Sequence, residues 1–177
     1  KVAIAGYTNA GKSSLLRALT GYEALIKDQL FATLDTTSKK VTFKGDTEKI
    51  ISDTVGFLRK LPHDLIASFR STLGDINDAD IIIKLIDISS SDIEGHISTI
   101  DNTLKYLECD NKKSILIFNK IDIVSDHNLF KRINDKYNNP IMISSLKKLR
   151  INKLINFIYK LANDRFTSYT LSSKHDN

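Results

Sequence analysis

Eight residues near the start of the chain carry the densest chemistry. Gly6-Tyr7-Thr8-Asn9-Ala10-Gly11-Lys12-Ser13 follows the spacing G-x-x-x-x-G-K-[ST]. Glycine at both ends lets the backbone curl until its N–H groups converge on a phosphate. A helix that starts there adds the positive end of its dipole. Lys12 then reaches the outer phosphates of a nucleoside triphosphate, and the Ser13 hydroxyl is the right type of group to ligate Mg²⁺. Ser14, one residue on, belongs to the same loop–helix junction. At ordinary composition chance supplies the pattern about 4 × 10⁻⁵ times per starting residue. Here it falls between an apolar run and a helical stretch, where a phosphate loop must sit.

Asn119-Lys120-Ile121-Asp122 has the spacing N-K-x-D, a pattern suited to reading guanine. The Asp122 carboxylate can accept from both the N1–H and the 2-amino group of that base. Adenine offers no such donor pair, so it would leave a buried carboxylate unpaired. Lys120 can lay its stem along the base plane, and Asn119 can tie this loop to the phosphate loop. Ser144-Ser145-Leu146 can present backbone N–H groups to the guanine O6. Between these motifs stands Asp53-Thr54-Val55-Gly56. Asp53 would hold Mg²⁺ through water, and the Gly56 N–H would sense a γ-phosphate. Thr33, Thr36 and Thr37 all lie in the preceding segment, and one of them should ligate Mg²⁺ when triphosphate is bound. Phe57 follows Gly56, and a phenylalanine cannot orient water, so hydrolysis should be slow or draw its water-positioning group from elsewhere.

These motifs need a scaffold that sets them at one edge. Apolar runs with strand character are Val2–Ala5, Val41–Phe43, Lys49–Ser52, Ile81–Asp87, Ser114–Asn119 and Ile141–Ser144. Helical stretches fall at Lys12–Leu19, Asp64–Leu73, Ile93–Leu107, His127–Tyr137 and Lys153–Ala162, with Ser125 as N-cap of the fourth. Gly45–Asp46 joins two strands as a hairpin. The other strands are continuously apolar, as a sheet covered on both faces requires. The expectation is a doubly wound α/β fold with a mostly parallel six-stranded sheet and one antiparallel hairpin strand. Residues 1–164 form the domain and 165–177 a polar tail.

The chain has 177 residues, 41% hydrophobic and 27% charged, enough for one domain with a real core. Cys109 is the lone cysteine, so no internal disulfide is possible; a reducing compartment fits, and the thiol reads as inert. No apolar run approaches the roughly 18 residues of a membrane span. The chain opens at Lys1 directly on an apolar strand, so an upstream domain is expected to be missing. The formal net charge of +5 tolerates an RNA-rich partner without demanding one. His63 reads as a surface residue at a helix start. Lys147, Lys148, Arg150 and Lys153 read as a solvated face.

Together, Gly6–Ser13 (GYTNAGKS), Phe31–Asp35 (FATLD) and Asp53–Leu65 (DTVGFLRKLPHDL) resemble the HflX-type GTPases of the Obg–HflX group, with likeness running from Val2 to about Leu161. The resemblance implies that Phe31, Ala32, Thr33, Leu34 and Asp35 line the nucleotide, with Thr33 as the switch threonine on Mg²⁺. Lys12, Thr33 and Gly56 would then serve GTP hydrolysis. Asn9 stands where related potassium-dependent GTPases hold K⁺. The resemblance also implies a cytoplasmic protein, expected to be a monomer, that binds the large ribosomal subunit and splits or rescues stalled ribosomes. The alternative is a GTPase domain of a tRNA-modification enzyme or of another RNA or ribosome-assembly factor. Two departures stand out: the family's usual proline is absent from Asp35-Thr36-Thr37, and its S-A pair is Ser144-Ser145 here.

Overall fold

The first strand shows why this sheet is central. In β1 (Val2–Gly6) every residue is buried, which only a strand flanked on both edges and covered on both faces can satisfy. It pairs in parallel with β3 (Thr47–Asp53) on one side and β4 (Ile81–Asp87) on the other. The computed structural model describes residues 1–21, 37–43, 47–53, 70–138 and 140–163. Within them β2 (Thr37–Phe43) pairs antiparallel with β3 from Thr37↔Asp53 to Phe43↔Thr47. Beyond β4 follow β5 (Lys113–Asn119) and β6 (Ile141–Met142), both parallel. The order is β2-β3-β1-β4-β5-β6. The expected six strands with one antiparallel member are present.

Alternation along the strands builds two layers. Val2, Ile4, Ile81, Ile83, Leu85, Ile115 and Ile117 face α1 (Lys12–Thr20) and α5 (Ile151–Asn163), burying Leu15, Leu16, Leu19, Leu154 and Ile158. Ala3, Ala5, Ile82, Ile86 and Phe118 face α2 (Arg70–Asn77), α3 (Ile93–Tyr106) and α4 (His127–Lys136), burying Ile76, Ile100, Leu104 and Ile133. Cys109 lies in this second core, its Sγ donating to Asn77 Oδ1 at 2.9 Å. Burial pushes its thiol pKa up, as an inert thiol requires.

Several boundaries differ from the sequence expectation. The N-cap of α4 is Asp126, not Ser125: its carboxylate accepts from Asn128 N at 2.8 Å. A charged acceptor also favours the positive helix end. Helix α2 runs to Asn77 rather than ending at Leu73, because Ile76 extends its apolar stripe into full burial. Helix α5 begins two residues early, because Ile151 is buried with Leu154 and Ile158. Strand β6 ends at Met142; Ile143 still donates to Phe118 O at 2.8 Å, but Ser144 turns aside to pair with Leu149. Strand β2 begins at Thr37 rather than Val41, held by its ladder to β3. The Gly45–Asp46 turn and residues 64–69 of the expected second helix lie outside the described residues.

Candidate nucleotide-binding site

Strand order reverses at β1, whose successors lie on opposite sides of it. Ligands of open α/β sheets bind at such a switch point, beyond the carboxyl ends of the strands. The Gly6–Ser13 loop leaves β1 there. Gly6 is pressed against β4: a Cβ on it would meet Leu85 O at 2.7 Å. Ala10 N donates to Tyr7 O at 3.2 Å to close the curl, and Asn9 lies at φ 63°. Gly11 sits at φ 91° as N-cap of α1, and a Cβ there would meet Asn119 Nδ2 at 2.4 Å. A helix leaves its first N–H groups without intrahelical partners, and Gly11 brings no side chain to cap them. Lys12 is 7% exposed, and its Nζ donates to the carbonyls of Gly6 and Tyr7 at 3.3 and 3.1 Å. Its charge therefore lies over the curl, as a phosphate loop needs.

Asn119, at the end of β5, stitches this loop to the others. Its Nδ2 donates to Ala10 O at 2.9 Å, and its Oδ1 accepts from Ser145 N and Ser145 Oγ, both at 2.9 Å. Asn119, Ser144 and Ser145 are all nearly fully buried. One side chain thus joins Gly6–Ser13, Asn119–Asp122 and Ser144–Leu146, three of the described segments expected to make the site. Lys120 follows at φ 68°, and its Nζ pairs with Asp87 Oδ2 at 2.7 Å. Asp87 ends β4, and its other oxygen accepts from Ser89 N and Ser89 Oγ at 2.9 and 2.6 Å. Sequence reasoning missed Asp87; only the β4–β5 pairing Asp87↔Asn119 reveals it.

Asp122 sits in the 3-10 turn Ile121–Ile123. Its Oδ1 is buried and has no hydrogen-bond partner among the described residues. Buried carboxylate oxygens are normally paired, and a base edge carrying two donors would pair this one. A second contact that sequence reasoning missed is the stack of Tyr7 on His96 of α3, centroids 4.1 Å apart and rings 12° from parallel.

Two donor types fit Mg²⁺, a hard cation that takes oxygen ligands. Ser13 lies in the first turn of α1. Asp53 ends β3 opposite Ile4 of β1, at the same sheet edge as the loop. Phe31, Ala32, Thr33, Leu34, Asp35, Thr36, Thr54, Val55, Gly56, Phe57 and His63 lie outside the described residues.

Residues 1–120 match the model of a protein family described as the 50S ribosome-binding GTPases. The chain belongs to that family. It is of the HflX type: it is 43% identical over 157 residues to GTPase HflX of Caldanaerobacter subterraneus, covering 89% of this chain and 35% of that protein. It is likewise 43% identical over 145 residues to GTPase HflX of Gluconacetobacter diazotrophicus, covering 82% and 32%. The chain therefore spans about a third of the length of these relatives. Among solved structures, Era of Aquifex aeolicus bound to GDP·AlF4⁻ superposes with a TM-score of 0.75 at 25% identity, over 90% of this chain and 55% of that one. The HflX-type chain is thus a GTP-binding GTPase domain of the P-loop class. No helix among its described residues is long and apolar enough to cross a membrane.

Proposed function

We propose that this domain binds GTP and GDP with Mg²⁺, hydrolyses GTP slowly, and acts in the cytoplasm as a GTP-gated monomeric module on the large ribosomal subunit. The observation that carries the nucleotide reading is the buried, unpartnered Asp122 Oδ1, three residues past the Asn119 side chain that stitches the loops together. In this reading Asp122 accepts from the guanine edge. Lys120, held by Asp87, lies along the base, and the Leu146 N–H faces O6; the Ser145 N–H, expected from the sequence to do the same, is instead given to Asn119 Oδ1. The loop N–H groups between Tyr7 and Ser14, other than that of Ala10, which closes the curl onto Tyr7 O, hold the phosphates with the Lys12 ammonium.

Mg²⁺ would be held by Ser13 and Thr33, with Asp53 acting through water. It supplies neutralisation of charge on the β- and γ-phosphates. Thr33 and Gly56 order their segments when a γ-phosphate is present, which makes the domain a two-state device. The ribosomal assignment draws on the family's description and on residues 57–61, an apolar group flanking Arg59 and Lys60. The test of the nucleotide reading is calorimetric titration of the chain with GDP, GTP, ADP and ATP in MgCl₂. Guanine nucleotides should bind at least a hundredfold more tightly than their adenine counterparts. Equal affinities would sink the proposal.

A further inference from the structure

The turn after β6 and helix α5 carry charge of one sign only. Ile141–Asn163 holds Lys147, Lys148, Arg150, Lys153 and Lys160 and no acidic residue. The formal charge of the whole chain is +5, so this segment supplies all of the excess and the remainder is neutral. All five side chains are exposed, and none forms an ion pair among the described residues. Helix α1, in the same layer, contains no acid either. The opposite layer behaves differently: Lys84 pairs with Asp101 at 3.1 Å and Lys136 with Glu94 at 2.7 Å. A merely solvated surface would resemble that second layer.

The cations are presented on a fixed frame. Ser144 and Leu149 exchange backbone hydrogen bonds of 3.2 and 2.9 Å, and Lys147 N donates to Ser144 Oγ at 3.0 Å. Lys148 and Arg150 are held at φ 54° and 59°, a conformation that persists in non-glycine residues only where the surroundings impose it. Along α5, Lys153, Phe157 and Lys160 recur at i, i+4 and i+7, on the face opposite buried Ile151, Leu154 and Ile158. Phe157 is 44% exposed between two lysines whose Cα atoms are about 10 Å apart along the axis.

We propose that this face binds single-stranded RNA, with phosphates on Lys153, Lys160 and the cations of the turn, and a base stacked on Phe157. Single-stranded nucleic acid supplies both the repeated anion and the flat π-face that this pattern fits. A lipid surface would need a continuous exposed apolar stripe, and the apolar stripe of α5 is spent on the core. The choice of RNA over DNA rests on membership of a ribosome-binding family. The face itself is distinct from the segments proposed to switch with nucleotide.

The experiment titrates the GDP-loaded chain into a fluorescein-labelled mixed-sequence 12-nucleotide RNA, read by anisotropy across a KCl series. Affinity should fall as salt rises. Lys153→Glu with Lys160→Glu should weaken binding at least tenfold, and Phe157→Ala roughly five- to hundredfold, with GDP affinity unchanged in each. If the charge reversal does not fold, Lys153→Gln with Lys160→Gln should give the same direction. Unchanged RNA affinity in these variants would overturn the proposal. So would polyphosphate or a DNA 12-mer binding as tightly as RNA, or capture by anionic vesicles in place of RNA. Short-RNA binding without ribosome co-sedimentation would support this face while sinking the ribosomal reading, so the two fail separately.

Discussion

A buried carboxylate oxygen without a partner costs about 1–3 kcal/mol, and more when charged; Asp122 keeps one in the 3-10 turn after β5. Replacing it by an amide exchanges an acceptor for a donor. Asp122→Asn should therefore lose about 2–4 kcal/mol of GTP affinity and gain xanthosine triphosphate, whose 2-oxo group accepts; competition titration with the two nucleotides checks the exchange. Asn119 is the structural counterpart. Removing its side chain in Asn119→Ala leaves Ala10 O and Ser145 N without their buried partner, so the apo domain should lose about 2–5 kcal/mol in urea unfolding. Unaltered stability would mean that the stitch between the loops is dispensable. Asn9, exposed at φ 63°, belongs to a different prediction. A K⁺ held there would neutralise charge developing between the β- and γ-phosphates, which matters because Phe57 cannot orient water. Turnover should be faster in KCl than in NaCl at equal ionic strength, and Asn9→Ala should abolish the difference; identical rates in both salts would remove K⁺ from the account.

At the scale of elements, α3 and α4 are clamped at the first turn of one and the last of the other. Glu94 accepts from Lys136 Nζ at 2.7 Å and from the Tyr137 hydroxyl at 2.6 Å, while the Tyr137 ring packs 5.2 Å from Phe118. The bond from Lys136, then that from Tyr137, holds the Glu94 carboxyl below its ordinary value of 4.5. A depressed carboxyl contributes stability that is present above its unfolded value and lost as pH falls through the folded one. Glu94 is largely exposed, so solvent screening keeps that contribution under about 1 kcal/mol. Urea melts should show Glu94→Gln slightly less stable at pH 7, with the deficit closing below about pH 4.5; a deficit that stays constant down to pH 3 would mean that the charge contributes nothing. Such clamps explain what the sequence concealed. Gly6–Ser13 and Asn119–Asp122 were legible because a contiguous loop must supply their chemistry. The bond from Asn119 to Ala10 spans 109 residues, and the Tyr7–His96 stack and the Asp87–Lys120 pair likewise exist only once strand order is set. Boundaries moved for a similar reason: Ile76 and Ile151 extend their helices because tertiary burial rewards them, not because local propensity changes.

For the whole molecule, the sheet places every described site segment at one edge, because β1, β3 and β5 run parallel and end together. The alternating strand and helix rhythm made that architecture readable, since parallel strands need crossover helices and continuous apolar runs. A partner is harder to read, because exposed residues answer to surfaces outside the chain. The large-subunit proposal nevertheless has a definite physical form. A γ-phosphate held by Thr33 and Gly56 would order the segments that carry them, and in the sequence Gly56 is followed by Phe57, Leu58, Arg59, Lys60 and Leu61. Apolar side chains beside two cations are costly to leave in water and suit a partner of protein and phosphate. Association should therefore be stronger with a non-hydrolysable GTP analogue than with GDP, and should weaken as salt rises and counterions compete for rRNA. Arg59→Glu with Lys60→Glu should weaken it at least tenfold while leaving GDP affinity alone, since neither residue belongs to the proposed nucleotide contacts. The chain spans about a third of its curated relatives, so the measurement belongs to the full-length protein: co-sedimentation with purified large subunits, analogue against GDP, at low and high salt. Equal sedimentation in both nucleotide states would break the link between switch and partner, and no sedimentation at low salt with the analogue would send the search for a partner elsewhere.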